Sequence, residues 1–296
     1  MPELGKVGAW LLADVLKARD LAAMASRIEG YGYRTLWIPE AFGCNPLVNA
    51  AWILSHTRTL TVATGIANIY ARDSLATLTA QYGLAEMSGG RFLLGLGVSH
   101  APLVEGMRGQ AYKRPLAAMR DYLERMRATE YAGPPPADKP KTVLGALGPK
   151  MLALSASHAD GAHPYNVTPE HTAMAREILG PGKLLLPEQV LLRAGDPATA
   201  RATGRAYVSG YLKFPNYCNN FLRLGFSEDD LANGGSDRLI DSIVCWGGEA
   251  QFRARIQEHL DAGADQVAIQ ILPGEGRMLS PQDEEIFEML APRTWS

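Results

Sequence analysis

Residues 88–97 of the chain have the sequence SGGRFLLGLG. The two glycines near its start end a helical pattern in which Leu75, Leu78 and Tyr82 share one face. The apolar run Arg91–Val98 is short, nearly continuous and bounded by turn residues, which is typical of a strand buried on both faces. This stretch therefore predicts a helix that leads directly into a buried parallel strand.

The same alternation of strands and helices continues on both sides of this stretch. Helices are predicted around Ile28, after the N-cap Asp196 and over Glu249–Ala262. The predicted strands are Lys6–Leu12, Thr35–Pro39, Leu60–Tyr70, Arg91–Val98, Thr142–Leu147, Gly161–Val167, Leu184–Leu192 and Gln266–Leu272. Eight strands alternating with helices predict an α/β fold, a (β/α)8 TIM barrel with insertions. A doubly wound open sheet is the alternative for the same alternation.

Two segments depart from the alternation. Ala101–Tyr112 is predicted to be a loop, before a helix over Arg114–Arg127, and Asn216–Ile240 is predicted to be irregular or short-helical. The proline-rich stretch at Pro134 reads as a connector rather than a domain boundary. We therefore expect residues 1–296 to form a single barrel domain whose extra length lies in insertions.

The composition excludes several classes of protein. The 296-residue chain has a net charge of −2, unlike the strongly basic face of duplex-binding proteins, so no nucleic-acid partner is expected. No apolar run approaches the roughly 18 residues of a membrane span, and no signal segment is visible, so no membrane contact and a cytoplasmic location are expected. Three cysteines without a CxxC pair predict reduced thiols rather than a disulfide framework or a zinc site.

In a barrel, ligands bind at the carboxyl ends of the strands. The predicted ends contain glycines and aromatic residues, and they lack the cluster of His, Asp and Glu that a metal requires, so no metal is expected. Gly95, Gly97, Gly145 and Gly148 fall at the ends of neighbouring strands. Each alone is best explained by a turn. Four at matching ends favour a flat ring and a phosphate bound against bare backbone.

Two familiar motifs are incomplete at the fourth strand. The sequence Gly95-Leu96-Gly97 is followed by His100 where a dinucleotide fingerprint needs glycine or alanine. The following residues resemble a nucleophile elbow, but Ala101 replaces its last glycine. A hydrolase that uses Ser99 and His100 is also disfavoured, because adjacent residues rarely align as nucleophile and base.

Several stretches of the chain resemble the bacterial-luciferase-like superfamily and, within it, the oxidoreductases that use the deazaflavin coenzyme F420. They are SGGRFLLGLG at 88–97, TLWIPE at 35–40, ATGIAN at 63–68, RG at 108–109, YKRPL at 112–116, ALGPKM at 146–151 and ADGAHPY at 159–165. These stretches follow one another in order across nearly the whole chain. The resemblance implies a (β/α)8 barrel, commonly a homodimer, that binds coenzyme F420, with FMN as the alternative cofactor.

The resemblance also implies which residues contact the cofactor. The Gly65–Ile66 bond matches a cis peptide that bulges against the centre of the ring, and Glu40 matches an acidic residue near the ring's polar edge. The other matching cofactor positions are Asn68, Gly95, Leu96, Gly97, Ala146, Leu147, Gly148, Pro149 and Lys150. In many members a histidine follows the acidic residue, whereas Ala41 stands here. Proton transfer at that position, and a sugar phosphate as substrate, are therefore not expected.

Together these positions predict an oxidoreductase that transfers a hydride between coenzyme F420 and a small organic substrate, with the cofactor supplying the chemistry. The substrate is expected near Phe42, Tyr70, His100 and Tyr165. His100 is the first candidate for the proton donor, because imidazole titrates near neutral pH, and Glu40 is the second catalytic candidate. The alternatives are an FMN-dependent monooxygenase of the same superfamily and a non-catalytic barrel that binds deazaflavin or flavin.

Overall fold

The computed structural model describes residues 3–274 and 278–294. The segment 273–277, which follows the predicted strand Gln266–Leu272 and was expected to form its carboxyl end, therefore lies partly outside the described residues. The strands are β1 (Val7–Trp10), β2 (Thr35–Ile38), β3 (Thr61–Thr64), β4 (Ala67–Asn68), β5 (Phe92–Gly97), β6 (Thr142–Leu144), β7 (Gly161–Ala162), β8 (Leu184–Leu185), β9 (Glu188–Arg193), β10 (Val244–Gly247) and β11 (Val267–Ile271). The α-helices are α1 (Ala18–Gly30), α2 (Pro46–His56), α3 (Ser74–Ser88), α4 (Pro115–Ala128), α5 (Pro149–His158), α6 (Pro169–Leu179), α7 (Pro197–Tyr211), α8 (Pro215–Arg223), α9 (Glu228–Leu231), α10 (Asp237–Ile243), α11 (Glu249–Asp261) and α12 (Pro281–Met289).

The parallel sheet closes into a barrel because one stretch of chain pairs on both of its sides. The strand order is β10-β9-β11-β1-β2-β3-β5-β6-β7-β8, and β8 and β9 are parts of the single stretch 184–193. The Leu186 N–H donates to the Ala162 carbonyl at 2.9 Å, and on the other side the Ala268 N–H donates to the Pro187 carbonyl at 2.8 Å. The predicted (β/α)8 barrel is confirmed.

Three predicted strands are shorter than expected. The third is divided into β3 and β4 at the Gly65–Ile66 peptide bond, which is cis, as the family resemblance implied. The seventh is divided into β8 and β9 at Leu186–Pro187, because proline has no N–H for the ladder. The sixth, expected over Gly161–Val167, is limited to β7. Pro164 follows it, and Asn166 has a left-handed φ of 54°.

Helices α2, α5, α6 and α12 were missing from the sequence prediction. Three of them begin with proline after a capping side chain: Asn45, Thr168 and Ser280 accept backbone N–H groups of α2, α6 and α12 respectively. Helix α3 begins at Ser74, and its N-cap residue is Asp73, whose side chain accepts from the Ala76 N–H at 2.8 Å.

Of the two segments that depart from the alternation, the one predicted to be irregular or short-helical is confirmed, whereas the predicted loop is partly helical. The predicted loop after β5 contains a π-helical turn over Pro102–Met107. The segment after α7 forms the short helices α8, α9 and α10. Strand β10 was not predicted, and its Val244 is in register with Val190 of β9. Strand β10 pairs with residues 190–193 of β9, on the side of β9 opposite to β11.

The barrel interior and the layer beneath the helices are separate cores. Helices pack on an outer layer that includes Val7, Leu36 and Val62, all fully buried. The inner core contains Leu4, Trp10, Trp37, Ala63, Leu93, Val143, Leu186 and Ala268. Among the described residues, no helix is long and apolar enough to cross a membrane.

Candidate active site

Glu40 follows β2 and is held by groups from two other segments. Its N–H donates to the Ile66 carbonyl at 3.2 Å, which places Glu40 at the strand end that carries the cis peptide. The Asn68 N–H donates to Glu40 Oε2 at 2.7 Å, and Arg72 Nη2 forms a close ion pair with Oε1. Arg108 Nη2 lies 3.8 Å from the same Oε1. Both carboxylate oxygens are thus bonded within the protein, so Glu40 fixes the position of Asn68 and Arg72.

Ile66 lies in a groove that three glycines leave open. A Cβ at Gly97 would overlap Cγ1 and Cδ1 of Ile66, and a Cβ at Gly145 would lie 3.2 Å from Cγ2. A Cβ at Gly95 would overlap the Thr64 carbonyl oxygen and would lie 3.7 Å from Ile66 Cγ2. We call Gly95, Gly97 and Gly145 the Ile66 seat. These glycines were predicted to face a ligand, whereas the space above them holds the side chain of Ile66.

Gly65 lies against two buried ring nitrogens. A Cβ at this position would lie 2.8 Å from His163 Nε2 and 3.0 Å from Trp10 Nε1, and neither nitrogen has a hydrogen-bond partner among the described residues. The His163 ring stacks on Trp37 with centroids 3.9 Å apart, and its Nδ1 lies 2.6 Å from the Leu186 carbonyl. Burial lowers the pKa of His163 to about 4, so the ring is neutral at pH 7 and donates from Nδ1.

Tyr165 is the centre of a buried hydrogen-bond network at the barrel mouth. Its hydroxyl lies 2.7 Å from Gln270 Oε1 and 3.0 Å from the hydroxyls of both Tyr207 and Tyr211. Its ring is 5.7 Å from that of Trp10, which in turn reaches Gly65. Burial, with the neighbouring Tyr211 hydroxyl, holds the pKa of Tyr165 well above its usual value, so the network is neutral at this point.

Glu188 lies beneath this network and is fully buried. Its Oε2 accepts from the Asn166 N–H at 3.0 Å, and Tyr207 donates to Asn166 Oδ1 at 2.9 Å. Glu188 Oε1 has no partner among the described residues. Burial raises the pKa of Glu188 to about 8, so the group is a neutral carboxylic acid at pH 7.

The N-terminus of α5 is open to an anion. Gly148 is its N-cap residue, and no side chain caps the helix. Among the described residues, Arg223 Nη2 is the one atom near a Cβ built at Gly148, and it lies 3.9 Å away. Pro149 has no N–H, and the Met151 and Leu152 N–H groups donate to the Gly148 carbonyl. The helix dipole, the Lys150 N–H and the guanidinium together favour a phosphate. Pro149 and Lys150 are exposed beside this end of the helix.

Two of the predicted cofactor side chains face away from the barrel mouth. Leu96 is fully buried in the outer core beneath the helices, and Ala146 packs with α5 and α6. Only their backbones could contact a ligand, because alternate side chains of a strand point to opposite faces. Leu147 is partly buried against the α7 and α8 side of the mouth, and its carbonyl lies 2.8 Å from His171 Nε2.

The predicted substrate residues lie in different surroundings. Phe42 is 70% exposed, on a loop whose N–H groups at 42 and 43 donate to Asp14 Oδ2. Tyr70 packs on Tyr112 with ring centroids 5.8 Å apart, and its buried hydroxyl has no partner among the described residues. The Tyr70 N–H donates to Asn68 Oδ1 at 2.9 Å.

His100 is covered by a segment that the sequence left irregular. Its ring stacks on Phe214 with centroids 4.0 Å apart and planes 9° from parallel, and Tyr217 lies 5.7 Å away. Burial lowers the pKa of His100, and a hydrogen bond to the Asn216 side chain opposes that shift. The imidazole is therefore neutral at pH 7, held between β5 and the start of α8.

The structure brings together some predicted residues and adds others. Glu40, Ile66 and Asn68 are in direct contact, as are Ile66 and the glycines of its seat. No site role was predicted from the sequence for Arg72, Arg108, His163, Glu188 or Arg223. Glu188 had a visible signal, since an acidic residue within a strand predicted to be buried needs a partner or a neutral state.

The chain is a parallel (β/α)8 barrel with polar groups at the carboxyl ends of its strands. This arrangement is typical of enzymes, because the active sites of such barrels lie at those ends. Within that class, the family model described as luciferase-like monooxygenase matches residues 4–180, and the chain belongs to this family.

The relatives include proteins named for coenzyme F420. A Mycobacterium tuberculosis protein whose name assigns it provisionally to the coenzyme F420-dependent oxidoreductases is 32% identical over 60% of this chain, but the match spans only 59% of that protein's own length. A 5,10-methylenetetrahydromethanopterin reductase of Methanolobus tindarius is 30% identical over 93% of this chain and 94% of its own. A solved F420-dependent secondary alcohol dehydrogenase, bound to an F420-acetone adduct, superposes with a TM-score of 0.78 at 13% identity over the whole of both chains.

Proposed function

We propose that the chain is an oxidoreductase that transfers a hydride between coenzyme F420 and a small organic substrate. The observation that carries this proposal is the open N-terminus of α5 with Arg223 beside it, at the same mouth as Ile66 and Glu40. That arrangement suits a cofactor with a flat ring and an anionic tail. The names of the relatives favour F420 over FMN, which has the same two features and is the second candidate.

The residues of the mouth fit such a cofactor in two ways. Among the residues that the structure describes, only the Arg223 guanidinium comes within 4 Å of a Cβ at Gly148, at 3.9 Å, so the backbone there is accessible to a phosphate. Bound coenzyme F420 would supply a ring carbon that gives or takes a hydride. Ile66, fixed in its seat, would support the ring, and the N-terminus of α5 with Arg223 would orient the tail. The tyrosine network around Tyr165 would keep water away from one side of the mouth.

Binding experiments distinguish the two cofactors. We expect the purified protein to quench the fluorescence of F420 in a saturable manner and to bind FMN at least about tenfold more weakly, a difference of about 1.4 kcal/mol. Turnover would be followed at the F420 absorbance with a panel of enones, alcohols and imines. Tight FMN binding without affinity for F420 would favour the monooxygenase. Saturable F420 binding without turnover across the panel would favour a non-catalytic cofactor-binding barrel.

Arg223→Gln tests the proposed tail site. This change should weaken F420 binding about tenfold. It removes a charge-assisted hydrogen bond worth roughly 1.5–3 kcal/mol, and water can replace part of that bond at this exposed position. Binding of the truncated deazaflavin that lacks the phosphate and the glutamate tail should not change. The exposed Arg125 on α4 gives the matched control, Arg125→Gln. An equal loss for both ligands would mean that Arg223 supports the ring or the fold instead.

His100 remains the proposed acid–base residue. Its neutral imidazole would accept the proton that a substrate releases on oxidation, and the resulting imidazolium would return that proton in the reverse direction. His100→Gln should leave F420 affinity unchanged and lower kcat by about 10²–10⁴-fold, the usual contribution of general acid–base catalysis. His100→Phe keeps a flat ring against Phe214 and should show the same loss if the proton matters. Full activity in His100→Phe would assign the residue a packing role only.

We further propose that residues 1–296 act as one barrel domain and as a cytoplasmic homodimer, as the family resemblance implied. Sedimentation velocity of the purified chain would show a monomer if the second part of this proposal is wrong.

A further inference from the structure

We propose that the substrate of this site carries a carboxylate, and that Arg72 and Arg108 form its receptor. This inference rests on the proposed function and specifies its substrate class. We call Arg72 and Arg108 the guanidinium pair.

The first observation is an imbalance of charge. Both members of the guanidinium pair approach one oxygen of one carboxylate, Oε1 of Glu40. The side chains of Arg72, Arg108 and Glu40 are 11%, 31% and 10% exposed. Two cations and one anion therefore share a mostly covered site, and no second carboxylate lies within 4 Å of either guanidinium among the described residues. A covered site of one sign attracts an ion of the other sign.

The second observation is the unused hydrogen-bonding capacity. Arg72 Nη1 is buried and has no hydrogen-bond partner in the part of the chain that the structure describes. The single ion pair found there for Arg108 is the 3.8 Å approach to Glu40, which is too long for a good hydrogen bond. A guanidinium presents five N–H donors in a planar fork that matches a carboxylate. A buried donor left unsatisfied is costly, so an oxyanion between the two arginines would stabilise the site.

The third observation is the location. The Glu40 N–H bonds the Ile66 carbonyl, so the guanidinium pair lies at the strand end that supports the proposed ring. The proposed phosphate site is elsewhere, at the start of α5, with Arg223 as its cation. The mouth thus has two cationic positions, and the second is available to the substrate. Tyr70, whose buried hydroxyl also lacks a partner in the described residues, belongs to the same segment as Arg72.

The test uses pairs of ligands that match in shape, one charged and one neutral. Acetate, benzoate and succinate, each beside its amide, would be titrated calorimetrically into the F420-loaded protein. At least one carboxylate should bind about 10- to 100-fold more tightly than its amide, the range expected of a charge-assisted fork. It should also protect Arg108 from phenylglyoxal, read by peptide mass spectrometry. Equal binding of acid and amide for every pair, or no carboxylate binding, overturns the proposal.

Arg108→Gln identifies the receptor and spares the buried Glu40–Arg72 ion pair. It should lower carboxylate affinity by about tenfold or more and leave amide affinity unchanged. Arg120, exposed on α4, provides the matched control Arg120→Gln, which should change neither. Unchanged carboxylate affinity in Arg108→Gln overturns the proposal.

The cofactor's own anionic tail is the competing occupant. If Arg108→Gln weakens F420 and spares the truncated deazaflavin, the tail is the anion and the proposal fails. If the wild-type protein binds carboxylates at Arg108 but does not bind F420 when titrated without them, the anion site stands and the proposed function fails.

Discussion

Gly97→Ala should destabilise the protein by roughly 2–3 kcal/mol, as overpacking of a filled core does, and should weaken F420 binding at least about tenfold. The added methyl group would overlap two carbons of Ile66. Ile66 cannot avoid it, because Gly95 and Gly145 line the remainder of the same seat and β-branched side chains have few rotamers. The ring support would shift with Ile66. Urea denaturation and F420 fluorescence titration measure the two effects.

The double mutant Gly97→Ala/Ile66→Ala tests whether the losses come from the overlap with Ile66 or from any added side chain at this position of β5. Ile66→Ala removes both overlapping carbons, so Gly97→Ala should cost little in that background, and the coupling free energy should exceed about 1 kcal/mol. Gly83→Ala in α3 is the control, since no atom of the described residues lies within 4 Å of its Cβ position. Additive effects of Gly97→Ala and Ile66→Ala would show that the seat is not what constrains Gly97.

Glu188→Gln should raise stability at pH 8 by several kcal/mol while having little effect at pH 4.5. The carboxyl has an ordinary pKa of 4.5 in the unfolded chain and one of about 8 when buried in the fold. Between these values the folded state keeps a proton that the unfolded state releases, so stability is complete below pH 4.5 and is lost as the pH rises towards 8. The full loss is on the order of 5 kcal/mol, at 1.36 kcal/mol per unit of pKa.

Glutamine preserves the shape and the bond from the Asn166 N–H but has no proton to lose. The free energy of unfolding, measured in urea at several pH values, should therefore fall less steeply between pH 4.5 and 8 in Glu188→Gln than in the wild type. Glu86→Gln, on an exposed face of α3, should follow the wild type. Parallel curves for Glu188→Gln and the wild type would contradict a neutral buried acid.

Much of the fold could be predicted from periodicity, because each barrel strand is a short apolar run between turn residues. The helices that were missed had a local signal of their own. Asn45, Thr168 and Ser280 each precede a proline, the pattern that correctly marked the helix after Asp196. Strand β10 had no comparable signal. It pairs with residues 190–193 of β9, on the side of β9 opposite to β11, and this pairing depends on how the sheet is assembled rather than on the local sequence.

The location of the site could be predicted from the sequence, but only some of the residues that form it could. The glycines at the ends of the fourth and fifth strands were found, yet sequence cannot tell whether the space above a glycine holds a ligand or a side chain such as Ile66. The Glu40–Arg72 ion pair joins residues 32 apart through the barrel register, which no local pattern encodes. His100 was placed at the strand end, but its contact with Phe214 depends on a segment with weak periodicity.

The tryptophans inside the barrel would also allow cofactor binding to be followed by the intrinsic fluorescence of the protein. Trp10 reaches Gly65, and Trp37 stacks on His163, so two indoles lie directly behind the surface on which a coloured ring would be bound. Their emission overlaps the absorption of a deazaflavin, and excitation energy would pass from the indoles to the ring at this short range. Cofactor occupancy would then be visible in the protein's own fluorescence, without a label and without a substrate.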